Sequence, residues 1–199
     1  MTFLRAPLIG LSGWARSGKD TAAEALTADG WDRLAFADTL RSFLLALDPL
    51  IPITTLDLHG EHIEHRRISE AIAALGWDTA KEAIPEVREL LQRCGTEAGR
   101  KVLGSNTWVD ATLGKMRPGV PTVITDVRFV NEADSIRLQG GVVLRVTRPG
   151  IEAANDHESE HALDDYVFDW HLINDGTVDD LHTQARHFVR DHIRPASVA

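Results

Sequence analysis

Short apolar runs and stretches of helical spacing alternate along most of this chain. Residues 8–12 form an apolar run that predicts a buried strand, and residues 19–28 predict the helix after it, ended by Gly30. Residues 31–37 predict a second short strand and residues 38–47 a helix, which Pro49 and Pro52 stop. Residues 53–62 carry no clean period. Arg66-Arg67 opens a predicted helix to about Leu75, and a longer one runs from Pro85 to Val102. In that longer helix Val87, Leu90, Leu91, Cys94, Ala98 and Val102 keep helical spacing. Gly95 and Gly99 lie inside it and weaken it, which implies close approach of a neighbouring helix or a ligand. Asn106 is a candidate cap for a helix to Met116.

The second half alternates more cleanly. Strands are predicted at 120–125, 142–146 and 170–173, and helices at 129–138 and from Val178 to Val189. Strands alternating with helices predict an α/β fold, a parallel sheet sandwiched by helices. Pro195 to Ala199 reads as a loose tail.

The chemistry concentrates where the first strand meets the first helix. Gly13 to Lys19 fits G-x-x-x-x-G-K, a phosphate-binding loop. Gly13 and Gly18 permit backbone angles that let successive N–H groups turn inward on phosphate oxygens. The helix that follows presents its positive end, and Lys19 would reach the β- and γ-phosphates. The signature asks for Ser or Thr after the lysine, to hold Mg²⁺. This chain has Asp20 there, then Thr21. A carboxylate at that point repels phosphate unless a metal stands between them.

Composition narrows the ligand. The 199 residues are 43% hydrophobic, enough for the core of one α/β domain with a small insertion. Thirty acidic against 21 basic residues give a net charge of −9, which argues against a nucleic acid polymer but not against free nucleotides. Cys94 is the lone cysteine, so no intrachain disulfide forms. The absence of a leader-like or long apolar run leads us to expect no membrane partner and a cytoplasmic protein. His59, His62 and His65 recur every three residues; a polar face or loop explains them, and no metal is assigned there.

Five stretches in order resemble the bacteriophage-type deoxynucleoside monophosphate kinases. They are Ser12-Gly13-x-x-Arg16-Ser17-Gly18-Lys19-Asp20-Thr21; Phe36-Ala37-Asp38-x-Leu40-Arg41; Leu91-Gln92-x-x-Gly95-Thr96-Glu97-x-Gly99-Arg100; Asp126-Val127-Arg128-Phe129-x-Asn131-Glu132-Ala133; and His157-x-Ser159-Glu160 ahead of Asn174-Asp175-Gly176-Thr177. The resemblance spans roughly residues 8–190 and is weakest over 48–85. Its loop carries G-K-D-T, so Asp20 becomes a mark of the family. The resemblance implies a P-loop kinase fold, a single domain over 1–199 with a helical substrate-binding insertion near 38–117 and a short lid near 148–169. It also implies the reaction: ATP and a deoxynucleoside monophosphate give ADP and the diphosphate. Such transfer needs positioning and charge neutralisation more than covalent chemistry. A homodimer is compatible with this reading, and the host cytoplasm is the expected location if a phage encodes the chain.

Roles follow on that basis. Gly13, Arg16, Ser17, Gly18 and Lys19 would hold the ATP phosphates, and Asp20 and Thr21 would organise Mg²⁺. Asp126 ends a strand at the carboxyl edge of the sheet, where such folds bind ligands; capping the next helix is its plainer role. Lys19, Arg128 and Asp126 are the catalytic candidates. Asp38, Arg41, Arg66, Arg67, Glu97 and Arg100 are candidates for the acceptor, arginine being suited to a two-point grip on phosphate. Arg145 and Arg148 precede the lid-like loop, and Asp175 and Thr177 stand where adenine is often met. Asp175-Gly176 is equally a good turn.

His157-Glu158-Ser159-Glu160-His161 fits the H-E-x-x-H pattern of zinc hydrolases. Its acidic flanks leave a helix there little apolar face to bury, and it leaves the phosphate loop unexplained. Two other readings compete: a small-molecule kinase of the dephospho-coenzyme A kinase type, and a nucleotide-binding ATPase or switch module without an acceptor. The arginine-rich stretches outside the loop favour a kinase.

Overall fold

The computed structural model describes residues 6–57, 60–152 and 158–193. They form two compact units, one from residues up to Phe36 together with Val109 onward, the other Ala37–Trp108.

The first unit is built on a five-stranded parallel sheet of β1 (Leu8–Ser12), β2 (Asp32–Leu34), β5 (Thr122–Val127), β6 (Val142–Thr147) and β7 (Trp170–Ile173). The spatial order is β2-β5-β1-β6-β7, so the strand that leads into the phosphate loop lies at the centre. A central parallel strand is covered on both faces, which is why its sequence reads as a continuous apolar run. Alternate residues serve opposite cores. Ile9, Leu11, Val123, Leu144 and Val146 pack with helices α1 (Lys19–Ala28) and α8 (Val178–His192). Leu8, Ile124, Val127 and Val143 pack with Ala133 and Ile136 of α6 (Val130–Leu138). A methyl group on Gly10 would stand 2.6 Å from the Ile136 side chain, so this glycine lets α6 close on the sheet. At the outer edge the Gln184 side chain accepts from the Ile173 N–H at 3.0 Å and donates to its carbonyl at 2.8 Å, a side-chain substitute for a further strand.

The second unit contains α2 (Phe36–Leu47) from Ala37 onward, strands β3 (Leu50–Asp57) and β4 (Gly60–Arg67), α3 (Ile68–Ala83) and α4 (Pro85–Gln92). The strands pair antiparallel from Leu50↔Arg67 to Asp57↔Gly60. Arg66 and Arg67 thus end a strand, where the sequence predicted that they open a helix. The expected helical insertion is a mixed one. β4 reads GEHIEHRR and is exposed along nearly its whole length, so no buried face marks it in the sequence. His62 and His65 lie on it, and His59 lies outside the described residues. Gly76, with φ 72°, kinks α3 near its predicted end, and helix resumes to Ala83.

The long helix from Pro85 changes character after Gln92: Arg93–Leu103 is π-helical. Its two glycines have a packing reason. A methyl group on Gly99 would stand 2.7 Å from the Trp108 indole, and one on Gly95 would stand 2.9 Å from Leu40. The Trp108 indole N–H donates to the Gly95 carbonyl at 2.8 Å. A neighbouring side chain, not a ligand, is what approaches Gly99. A helix α5 (Thr107–Leu113) follows, and a single turn, α7 (Glu158–His161), precedes β7. No described helix is long and apolar enough to cross a membrane.

Candidate active site

The loop between β1 and α1 is shaped by three residues with positive φ: Gly13 (149°), Arg16 (65°) and Gly18 (104°). A side chain on Gly13 would press into the Val146 carbonyl oxygen, and one on Gly18 would meet the Asn174 amide at 2.5 Å. Arg16 takes the left-handed conformation without being glycine, a local cost that such loops carry at functional positions. The Asn174 amide donates to the Ser17 carbonyl at 3.0 Å, tying the end of β7 to the loop. The Ser17 side chain is buried and its hydroxyl has no hydrogen-bond partner among the described residues.

Lys19 is buried at the head of α1. Its ammonium donates to the Gly13 and Trp14 carbonyls, both at 2.7 Å, which leaves one N–H of three to aim elsewhere. Burial first, then the positive charges of Arg128 and Arg145, lowers its pKa from 10.5 to about 8, while Asp20 and Glu160 hold it up. The next residue, Asp20, is exposed and pairs with Arg33 of β2 at 3.1 Å.

A cavity of about 360 Å³ opens here, lined by Arg16, Gly18, Lys19, Asp20, Thr21, Arg148, Asn174, Gly176 and Val178. It brings together most of the residues predicted for ATP. Asp175 stands exposed beside it, and Thr177 is committed to the start of α8, where its hydroxyl accepts from the Asp180 N–H at 3.2 Å.

Behind the loop stands a second cluster. The Asp126 carboxylate accepts from the Phe36 N–H at 2.8 Å, so it caps α2 rather than the helix that follows it in sequence. The buried Glu132 carboxylate takes the N–H groups of Arg128 at 2.8 Å and Phe129 at 3.1 Å, which fixes the backbone beneath Arg128. The Arg128 guanidinium donates to Glu160 Oε1 at 2.6 Å. The Arg145 guanidinium lies 5.3 Å from the Trp14 ring and 5.5 Å from Phe168, and donates to the Ser12 hydroxyl at 3.3 Å. Its desolvation pushes its pKa below the usual arginine value.

The predicted acceptor residues Asp38, Arg41, Arg66, Arg67, Glu97 and Arg100 all belong to the second unit. Arg41 pairs with Asp38 at 3.1 Å and lies 5.7 Å from the Trp77 ring. Arg66 pairs with Glu64 at 2.6 Å, and Arg67 donates to the Asp48 carbonyl at 2.8 Å. Glu97 and Arg100 stand on the π-helical stretch. The lid-like segment lies partly outside the described residues, as does His157 of the H-E-x-x-H match. His161 meets Asp164 at 2.8 Å. Among the described residues no three His, Cys, Asp or Glu side chains gather as metal ligands would.

Sequence reasoning did not single out Asn174, Arg33, Trp14 or Glu160 for a role. Asn174 and Glu160 stood inside matching stretches, which was the available signal. Arg33 and Trp14 join the site only through the parallel pairing of strands and the fold of the loop.

The sequence model of the family described as deoxynucleotide monophosphate kinase matches residues 49–185. A protein of Acanthamoeba polyphaga mimivirus, provisionally named deoxynucleotide monophosphate kinase, is 31% identical over 193 residues, 89% of this chain and 93% of that protein. The deoxynucleotide monophosphate kinase of Escherichia phage RB69 is 27% identical over 109 residues, 52% of this chain and 45% of its own length. Among solved structures, the dephospho-CoA kinase of Campylobacter jejuni matches at a TM-score of 0.46 and 12% identity, covering 94% of this chain and 97% of that one, a likeness too loose to weigh on function.

Proposed function

This chain belongs to the deoxynucleotide monophosphate kinase family, and we propose that it transfers the γ-phosphoryl group of ATP, with Mg²⁺, to a deoxynucleoside monophosphate. An oxygen of the acceptor phosphate attacks the γ-phosphorus, the bond to the β-phosphate oxygen breaks, and ADP and the deoxynucleoside diphosphate leave. The observation that supports the donor side is Lys19, fixed by two carbonyls of its own loop at the wall of the 360 Å³ cavity. Loop N–H groups and Lys19 grip the β- and γ-phosphates, and Arg16 covers them. Asp20 and Thr21, both lining the cavity, fit a magnesium ion that takes most of its oxygens from phosphate and water. The ion would neutralise charge on the phosphates as the bond breaks.

Arg128 stabilises the group in transfer. Asp126, engaged with the Phe36 N–H, acts chiefly by holding the start of α2. Asp38, Arg41, Arg66, Arg67, Glu97 and Arg100 supply the acceptor side. The protein works in the cytoplasm, that of the host if a phage encodes it. A coupled assay of ADP release with ATP, Mg²⁺ and each of dAMP, dGMP, dTMP, dCMP and modified pyrimidine analogues tests the reading. Turnover with at least one acceptor is expected; acceptor-independent ADP release would point instead to an ATPase module.

A further inference from the structure

We propose that Glu160 is the positioning residue for Arg128, the side chain that holds this arginine beside the phosphate loop for transfer. The inference rests on the kinase reading above and extends it to a residue to which that reading gives no part. Three observations carry it.

The first is connectivity. Glu160 touches both halves of the donor site. Its backbone carbonyl accepts from the Trp14 indole within the loop at 3.2 Å, and its Oε1 accepts from Arg128 at 2.6 Å. The second is burial. The Glu160 side chain is only 7% exposed, whereas that of Arg128 is 40% exposed. The fixed partner is therefore the carboxylate, and the arginine is the one that reaches out from it. The third is an unsatisfied atom. Glu160 Oε2 is buried with no hydrogen-bond partner among the described residues. A buried carboxylate bonded through one oxygen returns little stability for its desolvation, and such pairs are often replaceable by apolar residues without loss. A function that needs the charge explains its place better than stability does.

The charge also has a setting. Lys19, Arg128 and Arg145 crowd together, and Lys19 feels both arginines and Glu160. The carboxylate offsets that repulsion, so Arg128 can stay close to the loop before phosphate arrives. A charge-assisted bond from Glu160 Oε1 to the guanidinium fixes the direction in which the arginine points. Transfer depends on such placement within fractions of an ångström.

Glu160→Gln removes the charge, keeps the shape, and leaves the backbone bond to Trp14 untouched. The test is steady-state kinetics, with ATP and the best acceptor, on wild type, Glu160→Gln, Glu160→Asp, Arg128→Ala and the Arg128→Ala/Glu160→Gln pair, with melting temperatures of each. Glu160→Gln should lower kcat about tenfold or more while both KM values stay within about twofold. Glu160→Asp, which keeps the charge, should recover part of that loss. In the Arg128→Ala background the second substitution should cost nothing further, because Glu160 would have nothing left to position. Additive losses, an unchanged kcat in Glu160→Gln, or a faster Glu160→Gln enzyme would each overturn the proposal. So would a Glu160→Gln defect explained by melting alone, with Glu160→Asp equally impaired. A wild type that forms no diphosphate would instead sink the kinase reading, and this inference with it.

Discussion

The two units of this chain treat their charges in opposite ways. Around the phosphate loop, three cations are held by fixed partners: the buried Lys19 by two backbone carbonyls, the half-exposed Arg128 by the buried Glu160, and Arg145 between the rings of Trp14 and Phe168. In Ala37–Trp108, Arg66 lies exposed beside Glu64, two residues away on the same strand, and Arg41 pairs with Asp38 one helical turn back. Exposed pairs of that kind contribute little to stability, so they exchange readily for a phosphate. The contrast suits a division of labour. On the kinase reading proposed above, the donor side is built in advance, where charge would develop in the transition state, and the acceptor side is assembled from groups that can change partners.

The strongest way to break that contrast is Lys19→Ala. Removing a preorganised cation from the loop should lower kcat by about 10²–10³-fold, with the fold retained by circular dichroism. Gly13→Ala should come next. Its methyl group would press on a backbone carbonyl at a φ of 149°, so the loop must distort, and ATP affinity measured by calorimetry should be largely lost. Gly95→Ala is its control in the other unit. There the methyl meets the end of the Leu40 side chain, and the cost should be about 1–3 kcal/mol of stability by denaturant titration at most.

Asp20→Asn sharpens the metal assignment. Rate against Mg²⁺ should show a lower plateau approach, about tenfold to a hundredfold slower at low Mg²⁺ and partly restored at high Mg²⁺. Superimposable curves would leave Asp20 as the partner of Arg33 alone. The smallest expected effect is in pH. Lys19 must be protonated to bind phosphate, and burial with Arg128 and Arg145 lowers its pKa to about 8 against the pull of Asp20 and Glu160. Activity on kcat/KM should therefore fall as pH rises through about 8, and the limb in kcat should lie higher, because bound phosphate favours the ammonium. The sign for stability is the reverse: the unfolded chain keeps this proton up to 10.5, so the burial penalty is present below about 8 and fades between about 8 and 10.5.

The same contrast explains what the sequence made legible. β1 and β7 occupy the residues that the sequence predicted; the central β1 is buried on both faces and so is written as a continuous apolar stretch, whereas β7 is an edge strand of which only Leu172 is buried. The hairpin of β3 and β4 was hidden, because β4 is polar on both faces. In the π-helical stretch after Gln92 the apolar positions Cys94, Ala98 and Val102 recur every four residues, a spacing between the α and π periods, so periodicity could not show it. In the site, the loop residues were readable because glycine spacing reports backbone shape. The bond from Arg128 to Glu160 spans 32 residues, and no local pattern encodes it.

If the phosphate-loop unit serves the donor and Ala37–Trp108 the acceptor, two-substrate kinetics on Arg16→Ala and Arg100→Ala will separate the two roles. Arg16→Ala should raise KM for ATP about tenfold and leave KM for the deoxynucleoside monophosphate nearly unchanged; Arg100→Ala should do the opposite. If both substitutions raise the same KM, or if Arg100→Ala changes neither, the division of labour is wrong.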